Sequence, residues 1–213
     1  MSNIIRTLQQ YEISEMIIND KRNSQQDNKK NNSSLKKYTN IPKLNSYYWF
    51  YYISKYGNEY DKILELVTKD KFQQIDIVRN NTSGLKLLKV KKQTFEENII
   101  YAKNIHISTL KVLAYYNQLS LLILKNGCYY FFNYGETIYV LDNYKMYKIT
   151  DNELHNIQDN NYYIPMVDKI MYASSHYKVS DLCDIAKQLD LPYNKMLKAD
   201  LYNSIKIKLM QII

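Results

Sequence analysis

The spacing of apolar side chains changes character several times along the chain. Ile4, Ile5, Leu8, Tyr11, Ile13, Ile17 and Ile18 recur at loosely helical intervals among Arg6, Glu12 and Glu15, which predicts an amphipathic helix over 1–18. Residues 19–45 are crowded with Asn, Gln, Ser and Lys. Such a stretch cannot bury enough surface to offset its ordering entropy, so a flexible polar linker is predicted, made mildly basic by Lys29, Lys30, Lys36 and Lys37.

Tyr47 to Ile53 is seven large side chains with no period of its own, and Ser54-Lys55-Tyr56-Gly57 behind it is spelled like a helix that ends in a C′ glycine. A run this dense in aromatic area, with the only tryptophan in it, is expected in the core rather than as a base-stacking platform. Glu59 to Val67 is expected to be the next helix. Phe72, Ile75, Ile77 and Val78 then form an apolar face, Asn80 to Gly84 interrupts it, and Leu85, Leu87, Leu88 and Val90 resume it. Two more helices are predicted. One spans Thr94–Ala102 with Phe95, Ile99 and Ile100 inward; the other is capped at Ser108 and turns Leu110, Val112, Leu113 and Tyr116 to the core.

Beyond Asn117 the period falls to two. Leu121–Lys125, Cys128–Tyr134, Thr137–Leu141 and Lys145–Ile149 read as strands joined at Lys125-Asn126-Gly127, Asn133-Tyr134-Gly135 and Asp142-Asn143. The body over 46–160 is therefore expected to be α+β, a helical layer followed by a short antiparallel β-meander. Residues 161–176, with Pro165, read as a connector.

The last segment, 177–213, carries two helical stripes. Ser180 is the expected N-cap, with Asp181 and Asp184 in the first turn, and Leu182, Ile185, Ala186 and Leu189 make the first stripe, which Pro192 stops near Asp190. Leu197, Leu201, Ile205 and Leu209 make the second. Burying the two stripes against each other gives a C-terminal helical hairpin with Lys195, Lys198, Lys206 and Lys208 outside.

Val179, Leu182, Ile185, Ala186, Leu189, Leu191, Lys198, Leu201 and Ile205, with Lys198-Ala-Asp-Leu-Tyr202 opening the second helix, resemble the helix, extended loop, helix pattern of SAP domains and of the N-terminal module of the terminator Rho. Asp190 stands where those sequences usually have glycine before the leucine. The resemblance implies attachment to DNA, often AT-rich, or support of RNA binding. The candidate contacts are Lys178, Lys195, Lys198 and Lys206 on phosphates, with Tyr193 and Asn194 at the loop.

Charge fits that expectation: 29 Lys+Arg against 21 Asp+Glu give +8 and a pI near 9.1, which favours polyanionic partners. Residues 68–92 form a second basic stretch, where a helix-turn-helix surface would lack the Arg, Asn and Gln cluster that reads base edges. Abundant Lys, Asn, Ile and Tyr with only 4 Gly and 3 Pro also fit codon drift in an AT-rich genome. Composition and motif together are similar to proteins of large nucleocytoplasmic DNA viruses, which would imply a virion or viral-factory setting.

Catalytic chemistry finds little to rest on. Cys128 and Cys183 have no CxxC partner, so neither zinc nor a disulfide framework is implied and a reducing compartment is expected. Ile107 to Leu124 is similar to the helix and central strand of OTU-type cysteine proteases, but no cysteine precedes it and His155 and His176 stand among polar residues. His106 is expected to cap or pack beside the next helix, and Asp151, Glu153 and Asp159 to be a solvated acidic patch. Walker, HExxH and other cofactor motifs are lacking, so no cofactor is expected. Neither a signal peptide nor an 18-residue apolar run is present, so an intracellular protein without a membrane partner is expected. The expected function is non-enzymatic nucleic-acid binding, DNA before RNA, with a protein partner possible at the N-terminal helix. The alternative is a structural or adaptor protein whose terminal helices bind proteins.

Overall fold

The computed structural model describes residues 38–57, 63–165 and 169–212. The helix expected over 1–18 and the linker up to residue 37 lie outside them. Over the described part of 19–45 the linker expectation fails. Thr39–Asn40 form β1 and pair antiparallel with Met146 and Lys145, and the Ile41 N–H donates to the Tyr144 carbonyl at 2.8 Å as its side chain enters the core. Ile41 supplies apolar area that the surrounding polar residues lack.

Five helices follow: α1 (Ser46–Tyr56), α2 (Ile63–Asn80), α3 (Ser83–Leu88), α4 (Lys92–Tyr101) and α5 (Ile107–Tyr116). The aromatic run lies in α1, where Tyr48, Phe50, Tyr51, Tyr52 and Ile53 are buried, and Gly57 ends the helix at φ 78°. Helix α5 contacts the other four. His106 is its N-cap, accepting from the Ser108 N–H at 3.3 Å, so the cap falls two residues ahead of the expected serine. Phe72, Ile77, Leu87 and Ile100, expected on apolar faces, are instead exposed, while Ile75, Val78, Leu85, Phe95 and Ile99 are buried. Each helix thus has a narrower buried stripe than its apolar residues suggest.

The strands are β2 (Ser120–Lys125), β3 (Cys128–Phe132), β4 (Ile138–Asp142) and β5 (Lys145–Ile149), followed by helix α6 (Asp151–Asn160) and strand β6 (Tyr162–Tyr163). The sheet order is β1-β5-β4-β2-β3-β6. Two tight hairpins turn at Asn126-Gly127, with φ 48° and 77°, and at Asn143-Tyr144, with φ 47° and 64°. Positive φ at both central residues matches the twist of the flanking strands.

The α+β class holds, but the sheet is not a simple antiparallel meander. β4 lies parallel to β2, Ser120 opposite Ile138, so Asn133-Tyr134-Gly135 is not a hairpin turn. The 133–137 loop instead crosses the start of β2. The wholly buried Ser120 hydroxyl anchors it, accepting from the N–H groups of Tyr134 at 3.1 Å and Gly135 at 2.9 Å. Gly135 packs onto the Gln118 carbonyl so closely that a Cβ there would overlap it.

Both faces of the sheet are covered. Leu121, Ile123, Cys128, Tyr130, Phe132 and Leu141 join the core under the helical layer. Leu122, Tyr129, Ile138, Val140 and Ile149 pack with Leu154 and Ile157 of α6 on the other side. Helix α6 was not expected; Thr150 and Glu153 cap it reciprocally, so the acidic patch is in part an N-terminal cap. The C-terminal pair of helices, α7 (Val179–Gln188) and α8 (Lys198–Ile212), is present. Its Leu182, Ala186, Leu189, Leu201, Ile205 and Leu209 are buried in the same core as the body.

Candidate nucleic-acid interface

Helix α7 starts two residues earlier than its sequence suggests. Lys178 is the N-cap residue, and the Asp181 carboxylate reaches back to accept the Lys178 N–H at 2.8 Å. That bond holds the Asp181 carboxyl below its usual range, with the Ser180 hydroxyl and the Lys178 charge adding to it. Ser180 is therefore not the cap, and Asp184 falls in the second turn. At the far end Asp190 takes φ 53° and the Leu191 N–H donates to the Ala186 carbonyl at 2.9 Å. A left-handed residue here is what glycine provides most easily, and aspartate is among the side chains that tolerate it.

The loop from Leu189 to Leu197 carries three of the six candidate contacts, Tyr193, Asn194 and Lys195. Asn194 and Lys195 are exposed, Lys195 at φ 62°. Tyr193 is half-buried with its ring against the core, so it braces the loop more than it faces solvent. Lys198, half-buried, opens α8. Leu197, expected in the buried stripe, is 73% exposed and only lends its carbonyl to the Leu201 N–H, so it precedes the helix instead of packing in it. Lys178 and Lys206 are exposed on the two helices.

Two tyrosines fix how the helices meet. The rings of Tyr177 and Tyr202 lie 6.4 Å apart, which brings the start of α7 beside the first turns of α8. Lys178 follows Tyr177 and Lys198 lies one turn ahead of Tyr202, so both cations belong to this end of the module. None of Lys178, Lys195, Lys198 and Lys206 lies within ion-pair distance of a carboxylate among the described residues.

The second basic stretch is less open. Arg79 is held by Glu96 through two bonds of 2.8 and 3.0 Å, which leaves exposed Lys86, Lys89, Lys91 and Lys92 around the turn from α3 to α4. A cleft of about 350 Å³ lies between the helices and the sheet, lined in part by Tyr47, Asn98, His106, Lys125, Cys128 and Tyr130. Burial pushes the Cys128 thiol up to about 11, the reverse of what a nucleophile needs, and the His106 ring is bonded to Ser108 at 2.8 Å. No cluster of metal-ligating side chains and no helix long and apolar enough to cross a membrane occurs among the described residues.

Sequence reasoning missed two polar clusters. One is a buried carboxylate, Asp70, that accepts from Tyr48, Tyr56, Lys55 and Gln74. The other joins Tyr162, Tyr172, Tyr177 and Tyr202 between the sheet edge and the terminal module. The chain matches no family model, no curated protein and no solved structure.

Proposed function

We propose that this protein is a non-enzymatic nucleic-acid-binding protein, DNA before RNA, attached through its SAP-like or Rho-N-like module at 177–212. The observation that carries the reading is the set of exposed or half-exposed cations Lys178, Lys195, Lys198 and Lys206, none within ion-pair distance of a carboxylate among the described residues. An ammonium with no ion pair to give up can neutralise a phosphate and release the counterions condensed on it, which favours binding. The left-handed Asp190 adds support, since it supplies at the loop the geometry for which SAP-like sequences use glycine.

The test is fluorescence anisotropy of the intact protein with AT-rich duplex, GC-rich duplex and single-stranded RNA, repeated with Lys195→Glu and Lys198→Glu. Binding that these changes weaken supports the reading, and binding indifferent to them removes it. A protein-binding adaptor is the second reading. Ile207 and Met210, exposed at 57% and 62% one turn apart on α8, favour it. Protein capture by the module that survives loss of the lysines would support that alternative.

A further inference from the structure

At the lysine-bearing end of the module, a ring surface is built with unusual care. Tyr172 lies in the connector before α7. Its N–H donates to the Tyr177 hydroxyl at 3.0 Å, and its carbonyl accepts from the Tyr202 hydroxyl at 2.9 Å. Two hydroxyls from the module thus hold the Tyr172 backbone, while the residue stays 38% exposed. The exposed His176 ring lies against it at a centroid distance of 4.5 Å. Tyr163, 46% exposed on the sheet-edge strand β6, stands 5.3 Å from the Tyr129 ring. Burial, and then the charge of Tyr172, push the Tyr163 hydroxyl up.

Packing accounts for the inner half of this cluster. Tyr162 is buried, and Tyr177 and Tyr202 are half-buried, so these three join the module to the sheet. It does not account for the solvent-facing part of Tyr172 or for exposed His176, whose rings lie against each other at the surface. Exposed cations neighbour these residues along the chain: Lys169 is three residues before Tyr172, Lys178 directly follows Tyr177, and Lys206 is one helical turn beyond Tyr202. Asp181 is the acid closest in sequence to Lys178, and its carboxylate is engaged by the helix start.

We infer that the nucleic acid this module takes is single-stranded, with an unpaired base stacked on the Tyr172 and His176 rings while Lys178 and Lys206 meet the flanking phosphates. A duplex keeps its base faces covered by their neighbours and offers such rings nothing; a single strand exposes them. Rings held before the ligand arrives also spare the cost of ordering them on binding. This inference rests on the nucleic-acid reading above and goes further by choosing the strand state.

The experiment titrates the full chain with a fluorescent 20-nucleotide oligothymidine and with a duplex of equal length, for wild type, Tyr172→Ala, Tyr172→Phe and Lys178→Glu. Base stacking on one aromatic contributes about 1 to 3 kcal/mol, or roughly a 5- to 150-fold change in affinity. Tyr172→Ala is expected to weaken the single strand by that factor and leave the duplex unchanged, and Tyr172→Phe to retain binding. Circular dichroism of each variant establishes that the module is still folded. Equal affinity of wild type and Tyr172→Ala for the single strand overturns the inference, as does an equal loss on both probes. If Lys178→Glu still weakens duplex binding in that case, the nucleic-acid reading survives alone; no binding of either probe removes both.

Discussion

The Tyr48 hydroxyl donates to the Asp70 carboxylate at 2.6 Å, 22 residues away, with both side chains buried. Tyr56 at 2.7 Å, Lys55 at 3.0 Å and Gln74 at 3.1 Å bond the same carboxylate, and Tyr51 approaches it at 3.4 Å. Asp70 is thus the point at which α1 is fastened to α2. Removing it strands buried donors, so Asp70→Ala is expected to destabilise the protein by about 3 to 5 kcal/mol. Tyr48→Phe removes one donor and leaves the acid satisfied by the others, at about 1 kcal/mol. Urea unfolding measures both, and equal costs for the two would contradict this account.

The same cluster fixes an alkaline limit. Burial, and then the Asp70 charge, raises the Tyr48 and Tyr51 hydroxyls far above the ordinary phenol range. A group whose folded pKa exceeds its unfolded one contributes stability that is intact below about pH 10 and is lost as the pH rises further. Tyr38 and Tyr101 are exposed on the surface. The buried ones should ionise only as helical dichroism collapses. Full phenolate absorbance of all 23 tyrosines with intact dichroism would be the opposing result.

Gly135 and Gly84 offer a paired test of the sheet crossing. A Cβ at Gly135 meets the backbone carbonyl of Gln118, which cannot move aside without shifting the start of β2. At Gly84 it meets side-chain atoms of Tyr115 and Tyr116 and not backbone, although the Tyr116 hydroxyl is bonded to the Asn81 carbonyl, and alanine suits helix α3 better than glycine. Gly135→Ala should therefore cost about 1 to 3 kcal/mol and Gly84→Ala less than about 1. Thermal melts rank them, and the reverse order would contradict the crossing.

Much of this architecture was readable from the chain. Apolar period gave α4, α5, α7 and α8, and the Asn126-Gly127 turn gave the first hairpin. Gly135 misled because glycine serves there for close approach and not for a positive φ, two uses that look alike in sequence. Thr150 and Glu153 spell a capping box, so α6 was legible and overlooked. Asp70 stood between Lys69 and Lys71 and read as part of a charged run, although it shares a helix face with Val67, Gln74 and Val78. The tyrosines around Tyr172 meet only through tertiary contacts, and no spacing along the chain announces them.

Binding through the terminal lysines is most directly tested by its salt dependence. Four phosphate contacts on duplex DNA give a log-log slope of about 3 to 4 between roughly 50 and 200 mM salt, and about 3 on a single strand. Changing Lys178, Lys195, Lys198 and Lys206 together to glutamate should abolish binding at about 150 mM salt while leaving the circular dichroism unaltered. An affinity that stays flat across that salt range, or that the four substitutions leave intact, would contradict the attachment.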